Sequence, residues 1–101
     1  MAMNKTINVS VRTLSMGLHK NINTVLVFQS QSVSLKEVLT ELSSRYGDWV
    51  MNILTEDGHD YLNRTLTFIM NGNMLNFNKK AEEYIITDNA DICILSVMDG
   101  G

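Results

Sequence analysis

Residues 90 to 101 read Ala-Asp-Ile-Cys-Ile-Leu-Ser-Val-Met-Asp-Gly-Gly. Ile92 and Ile94 alternate with Cys93 and Leu95, a period of two residues that predicts a strand with a core face and an outer face. Only Ser96 to Asp99 separate this strand from Gly100 and Gly101, whereas a disposable tail trails off through a longer polar run. The stretch therefore reads as an apolar strand opening into a flexible, slim tail at about residues 96–101, with the rest of the chain as its support.

That support is small. A chain of 101 residues, 45% apolar and 19% charged, reads as one soluble globular domain over 1–101. The net charge is -3 and the eight Lys and Arg are scattered, so no phosphate-tracking surface and no nucleic-acid partner is expected. Cys93 is the single cysteine; it excludes an internal disulfide framework and fits a reducing cytoplasm, the expected location. No secretion signal precedes the first strand and no apolar run is long enough to span a bilayer, so no membrane association is expected.

Working outward from the last strand, Thr6 to Arg12 alternate with Ile7, Val9 and Val11 on one face, a half-buried strand. Residues 15–24 have little periodicity and read as a loop; Thr24 to Gln29 then return as the second arm of a hairpin. Ser34-Leu-Lys-Glu37 has the spacing of a capping box, in which the Ser hydroxyl and the Glu carboxylate each satisfy a free amide at a helix start. Leu35, Val38, Leu39, Leu42 and Tyr46 follow at helical spacing along one face, with Gly47 placed to end the helix. A helix this long is marginal alone, so its stripe requires a sheet to cover.

Asp48 to Leu54 reads as a short helical turn that tucks Trp49 against the core edge, and Glu56 to Asp60 is turn chemistry. Residues 65–70 form a strand with Leu66, Phe68 and Met70 inward. Asn71-Gly72 follows, the pair favoured where both central positions of a hairpin turn need positive φ, and Met74 to Phe77 read as a short returning strand. Asn78 to Glu83 can hold one helical turn before the polar turn Thr87 to Asp91. One helix for one mixed sheet is an α+β layer arrangement. The two most regular strands, 6–12 and the last, are placed side by side and parallel at the sheet centre, with the helix supplying the crossover that parallel neighbours need.

With these pieces in order, the chain resembles the β-grasp (ubiquitin-like) sulfur carriers of the MoaD/ThiS family, and most of all the small subunit of molybdopterin synthase. The resemblance spans nearly the whole chain and rests on the Ile69-Met70-Asn71-Gly72 turn, the Ile86-Thr87-Asp88-Asn89-Ala90-Asp91 approach to the last strand, Trp49, Glu56-Asp57-Gly58, and the terminal Gly-Gly. Two departures stand out. Relatives carry prolines just before the last few residues, where this chain has Ser96 and Val97 and no proline anywhere, so its tail is less pre-extended. Asp99 stands where relatives carry a small uncharged residue.

The resemblance implies that the chain is not a catalyst and binds no cofactor. Its Gly101 carboxylate would be the reacting group, adenylated with ATP by a partner of the ubiquitin-activating type and then converted to a thiocarboxylate. The sulfur would pass to a synthase such as the molybdopterin synthase large subunit or an analogue. Glycine suits that role because the missing Cβ lets the backbone thread a narrow channel. Asp99 is a complication: two like charges about 7 Å apart at an effective dielectric near 20 repel by roughly 2 kcal/mol, so the partner is expected to place a basic residue opposite it. The residues expected to meet the partner are Met98, Asp99 and Gly100 of the tail together with Leu95, Cys93 and Ile69. By parity these last three share the sheet face away from the helix, either as an exposed platform or beneath the long loops or a second copy.

Two rivals stay open: a ubiquitin-like modifier joined through Gly101 to lysines of target proteins, and a β-grasp interaction module whose Gly-Gly end is incidental. A zinc site would need His19, His59 and Cys93 brought together with a carboxylate, and no metal is expected. The aspartates lack calcium-loop spacing, and no Gly-rich phosphate loop or nucleophile elbow occurs.

Overall fold

Ile7, Val9, Val11 and Thr13 alternate inward along β1, Thr6–Leu14, two residues longer than its apolar pattern indicates. The structure, a computed structural model, describes residues 5–14, 21–58 and 60–96. β2, Asn23–Gln29, returns antiparallel to β1, pairing Val9 with Leu26 and Ile7 with Phe28. β3 is Val33–Ser34, and its last residue caps α1, Leu35–Tyr46. The capping box is complete: the Glu37 amide donates to Ser34 Oγ at 3.1 Å and the Ser34 amide to Glu37 Oε2 at 2.8 Å. At the other end Gly47, at φ 118°, donates its amide to the Ser43 carbonyl at 2.8 Å.

Leu35, Val38, Leu39 and Leu42 are fully buried, as their spacing requires, but Tyr46 is 41% exposed and does not extend the stripe. The chain turns back immediately into α2, Trp49–Leu54, whose Val50 and Leu54 are buried. Trp49 packs on the core edge and donates its indole N–H to the Tyr46 carbonyl at 2.9 Å, so the edge expected for Tyr46 is filled by α2.

β4, Leu66–Met70, lies antiparallel to the final strand β7, Ala90–Ser96, with Phe68 opposite Ile94. Asn71 at φ 53° and Gly72 at φ 85° make the two-residue turn to β5. β5 is only Asn73–Met74, shorter than the expected 74–77. After Leu75 the chain bends inward, and Phe77 meets the Phe68 ring edge-on, centroids 6.3 Å apart and planes at 77°. A 3-10 turn, Ala81–Glu83, leads to β6, Ile85–Ile86, which pairs with β3 in a second ladder that the sequence pattern does not reveal.

The main sheet has the order β2-β1-β7-β4-β5, with β7 parallel to β1 at its centre, and one face is covered by α1. This is a β-grasp fold. Every buried side-chain polar atom among the described residues has a partner, so the core carries no unsatisfied polar load.

Candidate functional site

The central strand β7 has Ala90, Ile92 and Ile94 buried and Asp91, Cys93 and Leu95 on the face away from α1. Its neighbours fix what stands beside each outward residue. Cys93 lies between Arg12 of β1 and Ile69 of β4, and Leu95 lies between Leu14 and Thr67. Ile69 in turn faces Met74 of β5. The expected grouping of Leu95, Cys93 and Ile69 on one face is therefore present.

None of the three is covered by the described loops to the point of full burial; each is half-buried, and Leu14 at 46% and Met74 at 72% extend the apolar row at either end. A shallow concavity of about 310 Å³ opens at its middle, lined by Arg12, Ile69, Gly72, Asp91 and Cys93. Arg12 and Asp91 give it one charge of each sign. Neither was expected from the sequence: Arg12 stands beside Cys93 through strand register, which alternation alone does not set, and Asp91, which the sequence places in a polar turn, belongs to β7 two residues before Cys93.

The hairpin turn is tied to β7 by a reciprocal pair of bonds. The Asn71 amide donates to the Asp91 carbonyl at 2.8 Å, and the Asp91 amide donates to Asn71 Oδ1 at 2.9 Å. On the other flank the Asn8 amide donates to Asn89 Oδ1 at 2.9 Å. The entry to β7 is thus fastened to both neighbouring strands, and that fastening holds Ile69 in step with Cys93.

Ser96, expected at the start of the tail, is still in the strand, opposite Leu66. Val97, Met98, Asp99, Gly100 and Gly101 lie outside the described residues, as do His19 and His59. Among the described residues no three His, Cys, Asp or Glu side chains are grouped to hold a metal ion, and no helix is long and apolar enough to cross a membrane.

No protein-family model and no curated protein matches the chain. Among solved structures it is similar to the solution structure of the Haloferax volcanii HVO 2177 protein, with a TM-score of 0.63 and 18% sequence identity over 95% of this chain and 88% of that one. The likeness is one of fold.

Proposed function

We propose that the chain is a sulfur carrier of the MoaD/ThiS type: a substrate and sulfur-donating subunit rather than a catalyst, working through the carboxylate of Gly101. The observation that supports this most is the placement of β7. The strand that leads to the Gly-Gly sequence is central, fastened on both sides, and bordered by an apolar row that runs from Met74 and Ile69 through Cys93 and Leu95 to Leu14. A partner seated on that row would meet the chain where the tail begins, since Leu14 and Leu95 form the last parallel pair before it.

The chemistry needs little from the domain itself. In the partner's nucleotide site a Gly101 carboxylate oxygen bonds to the α-phosphorus of ATP and pyrophosphate leaves. Hydrosulfide then attacks the acyl carbon, AMP leaves and the thiol proton passes to solvent, giving the thiocarboxylate that a synthase, such as the molybdopterin synthase large subunit, consumes. The domain contributes rigidity: a docked row that does not shift fixes the start of the tail, and glycines at its end let the carboxylate enter a narrow site. Arg12 and Asp91 border the row and would select a partner of matching polarity.

Intact mass is the direct test. A free Gly101 terminus is confirmed first; the chain is then incubated with ATP, an adenylating enzyme of the ubiquitin-activating type and sulfide. The mass gain of one oxygen-to-sulfur exchange at the terminus is the expected result. Deletion of Gly101 should abolish it, and Ile69→Lys, on the half-buried row, should depress it without unfolding the domain. Adducts to the lysines of other proteins would establish the modifier reading instead, and an unchanged mass with every adenylating partner would leave only an interaction module.

A further inference from the structure

The outer edge of the main sheet carries an inference that does not rest on the sulfur-carrier reading. β2 has β1 on one side, and no strand among the described residues pairs with its other side. The phase of the β1–β2 ladder says which groups face that open side. The Thr13 amide donates to the Ile22 carbonyl at 2.8 Å and the Ser30 amide to the Lys5 carbonyl at 2.9 Å. Hydrogen-bonded and non-bonded pairs alternate in an antiparallel ladder, so with Val11 opposite Thr24, Val9 opposite Leu26 and Ile7 opposite Phe28, those three residues of β2 turn their amides and carbonyls to β1. Asn23, Val25, Val27 and Gln29 turn theirs outward.

This edge lacks the usual protection against pairing. Its seven residues, Asn-Thr-Val-Leu-Val-Phe-Gln, include no charge and no proline, and Val25 and Val27 are 53% and 55% exposed. The opposite edge, β5, is only two residues long. The β2 sequence is also self-complementary. In an antiparallel pair of β2 strands with its two-fold axis at Leu26, Val25 stands opposite the second copy's Val27, Asn23 opposite its Gln29, and Leu26 opposite itself. All four outward-facing residues fall in hydrogen-bonded pairs, which gives eight backbone bonds between the copies. No like charges meet: the row containing Arg12 and Asn23 continues through Gln29 and Thr6 of the second copy.

We propose that β2 is a self-pairing edge through which two copies of this chain join into one ten-stranded sheet. Two valines and one strand length bury less than the roughly 1,000 Å² of a stable interface, so the dimer is weak, with a dissociation constant on the order of 100 µM. The two β7 strands lie five strand spacings apart, roughly 24 Å, and point in opposite directions, so both outer rows stay accessible.

Sedimentation of the full chain between about 10 µM and 1 mM tests this. A reversible monomer–dimer equilibrium is expected, with slower amide exchange at Val25 and Val27 as dimer accumulates. Two double variants at these exposed positions test the register. V25K/V27K sets Lys against Lys in both outer pairs and should weaken association at least tenfold; V25K/V27E sets Lys against Glu and should associate about tenfold more tightly than V25K/V27K. Circular dichroism checks that both variants fold. A chain that stays monomeric at about 1 mM, or a dimer in which the two double variants dissociate alike, overturns the proposal.

Discussion

Replacing Asn71 or Gly72 probes the joint that sets β4 against β7, and the two positions separate two physical contributions. Gly72 sits at φ 85°, and a Cβ added there meets nothing within 4 Å, so Gly72→Ala changes only backbone preference. The left-handed conformation costs an L residue about 1–2 kcal/mol, while the stiffer unfolded chain returns about 0.4–1 kcal/mol. A net loss of about 1 kcal/mol is expected. Asn71, at φ 53°, occupies the same region as a residue that tolerates it, and its Oδ1 also accepts the Asp91 amide. Asn71→Ala therefore loses about 1 kcal/mol of conformational preference and about 1 kcal/mol of hydrogen bond, roughly 2 kcal/mol together. At about 4–8 °C per kcal/mol for a domain of this size, the melting temperature should fall by about 4–8 °C for Gly72→Ala and about twice that for Asn71→Ala. Thermal unfolding followed by circular dichroism, with urea titration as a check, reads both. An Asn71→Ala protein within about 0.5 kcal/mol of the parent, or one no less stable than Gly72→Ala, would refute the account of how this turn is pinned to β7.

Phe68→Ala removes a fully buried ring that pairs with Ile94 and meets Phe77 edge-on, and should cost about 3–5 kcal/mol in urea unfolding, a large part of the stability of a domain this small. Ser34→Ala removes the acceptor of the Glu37 amide and should cost about 1 kcal/mol, while retaining the bond from the Ser34 amide to the Glu37 carboxylate. Burial raises the pKa of Tyr84 above 10.0, with a smaller contribution from Glu83 in the same direction and an opposing one from a Lys79 backbone hydrogen bond. The unfolded chain then releases this proton at lower pH than the folded one. Stability should be intact below about pH 10 and fall as pH rises from there through the raised folded value, and Tyr84→Phe should flatten that alkaline decline.

The parts of this fold that the sequence announces are those held by local rules. The Ser34–Glu37 box and the 35–42 stripe specify α1 within three turns of chain, Asn71-Gly72 specifies its turn within two residues, and the alternation of 6–12 and 92–95 specifies strands because each is long enough to show a period. The β3–β6 ladder is invisible for the converse reason: two residues on each side display no period, and what stabilises it is the pairing of Val33 with Ile86 across more than fifty residues. Tyr46 misleads because its spacing belongs to α1, while the space at that end of the core goes to Trp49 and Val50 of the next helix, a competition between elements that neither segment encodes alone. Parity was enough to put Leu95, Cys93 and Ile69 on one face. It was not enough to bring Arg12 beside them, since that depends on which residue of β1 stands against which residue of β7, and a register with Val11 opposite Ile92 is decided by burial on the far side of the sheet. Asp91 joins them because β7 begins at Ala90, inside the segment whose polarity reads as a turn. The same dependence means that a substitution in the buried layer can alter the outer row without touching it. Shifting one central strand by two residues keeps its buried side chains on the α1 side and yet replaces the neighbours of Cys93, so the polarity of the outer row is set by how the buried side chains pack on the other face of the sheet.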